Sequence, residues 1–310
     1  MKTRWLALTA ALLLFALGTS LAEAPLPEAA APEELHTQET AVLYFRHADE
    51  PFLASEERMI TLSPSRPFER ALIDALLSGP ASPDLTGLFP AGTRLLATAR
   101  QARTLFVTFS GEILSPYPDE PETWREDLAW QLEAPQRRRL CMQSLVATVT
   151  ENCDVDQVQV LVKQNGADSL RLDNAYFLRE DLTGLANPLT RDDSLILTPG
   201  NTLSRILTLW QQRDWQRLYR YVALQGEDGV RAAYDDFVSR MEALPALREC
   251  SWTGGSLRGG GHTATFTLDA TLRSAGQTER RHGAILRLRM ENGLWRVSER
   301  QLTAWMEASP

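Results

Sequence analysis

The order of apolar and polar positions predicts one element after another between residues 41 and 163. Ala41–Phe45 is a short apolar run of strand type. Phe68, Ala71, Leu72, Ala75 and Leu76 fall at i, i+3, i+4, i+7 and i+8, the single stripe of an amphipathic helix. Pro67 suits its first turn, Gly79 a left-handed end, and Pro80 forbids continuation. Leu95–Ala99 and the alternating Leu105, Val107 and Phe109 predict a hairpin turning near Gln101-Ala102. After the proline-rich break 116–121, Trp124–Leu132 reads as a short helix with Thr123 as its cap. Pro135 separates it from a second helix, Gln136–Thr150, whose inner face is Leu140, Cys141, Leu145 and Thr148. Val158, Val160 and Val162 alternate as a closing strand. The order strand, helix, strand, strand, helix, strand predicts an α+β sandwich. It would have one mixed or antiparallel sheet, with helices on one face.

Residues 166–197 are polar and broken by Gly184, Asn187 and Pro188, and read as a partly extended linker. From residue 198 the texture changes. Leu203, Ile206, Leu207 and Trp210 predict a helix capped by Asn201 or Thr202. A second starts at Asp214-Trp215, and a third covers Gly229–Leu244. Strands follow. Ala264 to Leu272 alternate, as do Ala284 to Met290 with Arg287 and Arg289 outward. Glu291-Asn292-Gly293 marks a tight turn into Leu294–Val297.

Composition changes the picture at the N-terminus. Lys2 and Arg4 precede the apolar run Leu6–Leu17, then small residues at Ser20-Leu21-Ala22 and Ala22-Glu23-Ala24. That order is a secretory signal over 1–24, cut after Ala22 or Ala24. Uncleaved, it would hold the chain at a membrane, although the run is short for a span. Residues 25–40 are Pro, Ala and Glu, a flexible spacer. The expected location is extracytoplasmic. With 44% apolar and 23% charged residues in 310, two domains are expected, at 41–165 and 198–310. The net charge of −8 is unevenly spread: −5 over 41–165 and +3 over 198–310. An acidic first module argues against nucleic acid as a partner. Three cysteines in an exported chain raise the question of a disulfide. Cys141 and Cys153 are too far apart along a helix to bridge, so free thiols are expected, with Cys153–Cys250 as the alternative.

Candidate chemistry is thin. His47 beside Asp49 and Glu50 could suggest a metal or acid–base cluster, but no second ligand set follows, and an exposed charged turn is expected. Arg137, Arg138 and Arg139 would crowd a helix N-terminus, the unfavourable end for cations. They are candidates for an acidic partner, unless nearby acids such as Glu133 neutralise them. Asp214, Asp235, His262, Asp269 and His282 are the titratable candidates of the second module. His262 shares parity with Ala264 and Phe266 and could face inward. The chain has no Walker loop, GxGxxG or HExxH motif, and no cofactor or metal is expected.

Residues 41–163 resemble the GerMN domain of sporulation and germination proteins. The matching pieces are Leu43-Tyr44-Phe45, the Ala71–Leu77 helix ending in Gly79-Pro80, Pro90-x-Gly92-Thr93, Val107-x-Phe109-Ser110 and Val155-x-x-Val158. The resemblance implies an α/β sandwich of βαββαβ order, similar to the ring-building motifs of envelope assemblies. It implies no catalytic residue. Residues 198–310 resemble an NTF2-like α+β cone, through Leu207-x-x-Trp210-x-x-x-Asp214-Trp215 and Gly293-Leu294-Trp295-Arg296-Val297. Together these lead us to expect an exported, non-catalytic envelope protein that meets envelope proteins or copies of itself, in sporulation, germination or another envelope role. The alternative is a small-ligand binder or enzyme using the cone, with Asp214, Asp235 and His262 in its pocket.

Overall fold

A long hairpin opens the fold, seen in a computed structural model. The model describes residues 37–310 apart from 65, 165, 167, 180, 182, 227, 228, 259, 260, 275 and 308–310. The expected signal, and the spacer up to residue 36, lie outside the described residues. Strand β1 (Thr37–His47) begins inside the expected spacer and pairs antiparallel with β2 (Leu53–Leu62). The sequence reading assigned no element to 53–62, because its charged residues blur the alternation. Helix α1 (Phe68–Leu77) buries Ala71, Leu72, Ile73 and Leu76, as its stripe predicts, and Gly79 follows it at φ +84°. β3 (Leu85–Thr86) then pairs with the end of β1.

β4 (Leu95–Gln101) and β5 (Thr104–Ser110) form the expected hairpin, turning at Ala102 with φ +52°. β6 (Gln157–Lys163) lies parallel to β5. A parallel pair needs a long crossover, and helix α2 (Leu128–Asn152) supplies it. The segment expected as a linker is not simply extended. Its short strands β7 (Leu170–Arg171) and β8 (Leu189–Thr190) both pair with β6. The strands of the first module therefore divide between two sheets, β2-β1-β3 and β4-β5-β6-β7 with β8, rather than one.

The physical reason lies on α2. β1 has no strand beside residues 42–44 on the side away from β2. Side chains of α2 take that place. Thr148 Oγ1 accepts from the Tyr44 amide at 3.0 Å, and Ser144 Oγ donates to the Tyr44 carbonyl at 2.6 Å. Asn152 brackets Val42, accepting from its amide at 2.9 Å and donating to its carbonyl at 2.8 Å. Residues 144, 148 and 152 are four apart, so they form one polar row along the helix. α2 also corrects the expected break at Pro135, which sits inside one continuous helix. Asp127 caps its start by accepting from the Ala129 and Trp130 amides. Glu133, two residues before the proline, is anchored to Arg46.

The second module starts with α3 (Pro199–Gln212), capped by Thr198 rather than Asn201 or Thr202 and ended by Arg213 at φ +58°. α4 (Trp215–Tyr219) follows. Residues 229–230 belong to a small hairpin, β9 (Gln225–Gly226) with β10 (Gly229–Val230), so α5 spans only Tyr234–Ala243. β11 (Ala246–Arg258), β12 (Thr263–Ser274), β13 (Gln277–Glu291) and β14 (Leu294–Val297) form an antiparallel meander, followed by α6 (Glu299–Glu307). The buried side of this sheet carries Ala264, Phe266, Leu268, Leu286, Leu288 and Trp295. Leu203, Trp210, Phe237 and Met241 from the helices join it in the same core. Residues from Thr37 onward form one compact unit, with Leu197 donating to the Leu53 carbonyl at 2.8 Å. Cys141, Cys153 and Cys250 are free thiols.

Candidate functional site

The turn between β1 and β2 delivers four polar side chains that organise the rest. Expected to be exposed, it is buried in part: His47 and Glu50 are each only 1% exposed, while Asp49 and Pro51 stay exposed. The cause is distant in sequence. Glu50 Oε2 lies 2.7 Å from Arg205 Nε and 2.5 Å from its second nitrogen, and Arg217 Nε stands 3.6 Å from Oε1. Asp49 pairs with Arg217 at 3.3 Å and with Arg220. Desolvation raises the Asp49 pKa, but the hydrogen bond and charge of Arg220 overcome it and hold the carboxyl at about 2. Asp84 pairs at 2.8 Å with Arg296, itself buried. These contacts form a seam between the acidic first module and the basic second one. Part of the charge of each module is thereby paired with the other.

His47 sits within this seam. Its Nδ1 is 3.4 Å from the Asp84 carbonyl, its ring stands edge-on to Tyr221 at 5.3 Å, and its Nε2 has no hydrogen-bond partner. Burial pushes its pKa down to about 4, with Arg296 and Arg220 adding to the fall against the Asp84 carbonyl bond. It is a neutral packed ring at neutral pH. Among the described residues no group of three or more His, Cys, Asp or Glu is placed to hold a metal ion.

A cleft of about 810 Å³ opens beside the seam. Arg46 and Asp49 form one wall, residues 86–91 another, and Tyr117, Trp130, Glu133 and Arg137 a third; Arg217 reaches in from the second module. Its charges are mutually paired. Arg46 clamps Glu133 and donates to the Glu50 carbonyl at 2.9 Å. Arg137 bonds Asp119 at 2.6 Å and Glu133 at 3.1 Å, over the faces of Tyr117 and Trp130. On the adjoining face of α2, Leu128 and Leu132 are each 78% exposed, one helical turn apart. The cleft thus has a mouth of aromatic rings and mutually paired charges next to two exposed leucines.

The arginine triplet is not at a helix N-terminus, since α2 begins nine residues earlier, at Leu128. Arg138 is buried and bonds Glu120 at 3.2 Å, and Arg139 bonds Asp192 at 2.6 Å. All three therefore meet acids of their own chain. The second-module candidates are not gathered into one pocket. Asp214 caps α4, accepting from the Arg217 amide at 3.1 Å. Asp235 is exposed in the first turn of α5. His262 is exposed in the turn before β12, outside the alternation that parity suggested. Asp269 and His282 do meet, at 3.4 Å, on the exposed side of the sheet. Sequence reasoning placed Glu50 in an exposed turn and gave no site role to Asp84, Arg205 or Arg296, whose only local signal is unevenness of charge.

Comparison with known proteins reaches the first module. Residues 42–167 match the family described as Germane, sporulation and spore germination. One similar solved structure is the tandem GerMN domains of the sporulation protein GerM from Bacillus subtilis. It is 18% identical with a TM-score of 0.33, over 51% of this chain and 46% of that one, so the match spans about half of its length. Another is a protein from Clostridium perfringens whose description assigns it provisionally to the lipoproteins. It is 18% identical with a TM-score of 0.27, over 53% of this chain and 94% of that one. No curated protein matches the chain. No helix among the described residues is long and apolar enough to cross a membrane.

Proposed function

We propose that this is an exported, non-catalytic envelope protein whose Germane segment docks a protein partner of the cell envelope, in the setting of sporulation or germination. The observation that carries the reading is the Leu128–Leu132 ridge beside the aromatic cleft. Contiguous exposed apolar surface rimmed by polar residues is the kind of patch that marks contact sites. The second module, which we read as NTF2-like, serves as a scaffold. Its sheet is packed by its own helices, and its seam arginines fix the turn that forms one wall of the cleft. The test is a photo-crosslinking residue placed at position 128 in intact cells. We expect a discrete protein adduct that disappears in a Leu132→Asp variant of unchanged melting temperature. A monodisperse monomer with no adduct would overturn the docking role.

A further inference from the structure

Two hollows of the second module adjoin beside the β9–β10 hairpin. One, of about 420 Å³, is lined by Arg231, Arg240, Glu299 and Arg300, and the other, of about 180 Å³, by Arg287, Arg289, Glu291 and Arg296. Both touch Ala223, Gly226 and Ser298. Among the described residues they gather six arginines against two carboxylates, in a chain whose net charge is −8. Some of these charges are matched. Arg240 bonds Glu299 at 2.9 Å, Arg296 bonds Asp84 at 2.8 Å, and Glu291 accepts from the Leu224 amide at 2.8 Å. Arg231, Arg287 and Arg289 have no carboxylate within ion-pair distance among the described residues.

The fold holds these cations together at a cost. Arg289 stands directly opposite Arg296 in the β13–β14 register, and like charges so placed destabilise a sheet. Arg287 lies two residues from Arg289 on the same exposed face. Arg231 is fixed by neutral contacts, its Nη1 donating to the Tyr219 carbonyl at 3.0 Å and its guanidinium 4.0 Å from the Tyr219 ring centre. Burial lowers the Arg296 pKa, and the charge of Arg231 adds to the fall against Asp84 and Glu291, so the arginines of the two hollows sense one another. A bound anion would relieve this repulsion. The donors stand on β13, after β10 and on α6. A tetrahedral oxyanion accepts from several sides, whereas a planar carboxylate matches one guanidinium fork. No aromatic side chain lines either hollow, so neither offers a stacking platform for a nucleobase. We propose that the two hollows together bind a chain of phosphate groups, one phosphate beside Arg287 and Arg289 and another beside Arg231. The site is separate from the docking ridge.

The test is calorimetric titration of the full chain with sodium tripolyphosphate at low ionic strength. We expect saturable binding, weaker by about tenfold or more in the double variant Arg287→Gln, Arg289→Gln. Without ligand that variant should melt no lower than the unaltered protein, since neither arginine has an ion pair to lose. The double variant Arg273→Gln, Arg280→Gln removes the same charge from the far end of β12 and β13 and should bind as the unaltered protein does. Absence of binding, full binding by the first variant, or an equal loss in both variants would overturn the proposal. Tighter binding of an equally charged thymidine oligonucleotide than of tripolyphosphate would also overturn it, in favour of a nucleic-acid site. Flotation with phosphatidylglycerol vesicles separates the sources. Co-flotation lost in the first variant supports a lipid headgroup, and tripolyphosphate binding without flotation supports a phosphate chain free of the membrane.

Discussion

Burial keeps His47 neutral, and this makes the protein acid-sensitive in a defined window. Its folded pKa is about 4, against 6.5 for an ordinary histidine. Between those values the unfolded chain takes up a proton that the folded chain refuses. Stability is therefore full above about pH 6.5 and declines as pH falls towards 4, by about 3 kcal/mol from this one group. Urea unfolding at pH 7.5 and pH 5 should show the loss, and His47→Leu should flatten the slope between them. Nothing local in the sequence shows this. The turn reads as wet because the burial of His47 and Glu50 is imposed by Arg205, Arg217 and Tyr221, more than 150 positions on. Gly79 is the opposite case. Its left-handed φ follows from the helix stop written in Leu77-Ser78-Gly79-Pro80.

At the scale of elements, legibility follows periodicity. α1 and the β4–β5 hairpin each have one buried and one open face, so spacing reveals them. α2 is buried on several sides and crossed by a proline, and its row of Ser144, Thr148 and Asn152 faces a strand rather than water. A polar row on a helix reads as solvent-facing unless the strand is known to lie there. Replacing Ser144 by Ala and Thr148 by Val should strip the Tyr44 amide and carbonyl of their partners inside the core. The expected loss is about 1–3 kcal/mol for each unsatisfied group. The check is the unfolding midpoint, together with faster hydrogen exchange of the Tyr44 amide, which a simple cavity would not select.

At the scale of the molecule, the two modules meet backbone to backbone as well as through charge. Gly293, at φ +79° in the β13–β14 turn, lies so close to β2 that an added Cβ would stand 1.9 Å from the Ser55 carbonyl oxygen. The sequence marks Asn292-Gly293 as a turn, but only the packing shows that glycine is also needed for the approach. Gly293→Ala should therefore cost about 2 kcal/mol or more, from backbone strain and overlap together. Differential scanning calorimetry should show the whole transition moving to lower temperature. A mutation confined to a free hairpin would leave it in place. The contrast of −5 and +3 between modules was visible in the sequence. It argued only against nucleic acid as a partner, because composition carries no information about which surfaces face each other.

The seam also sets a timetable. Glu50 is 155 residues from Arg205, and Asp84 is 212 from Arg296. During synthesis the chain emerges from its N-terminus, so the β1–β2 turn waits, with its carboxylates uncompensated, until most of the polypeptide has followed. A carboxylate that must be buried but has no cation keeps its turn open to water. The first module can form its local helix and hairpin early, but it cannot close before the second exists. A nascent or truncated chain would thus be held in a looser form by the same charges that lock the finished one.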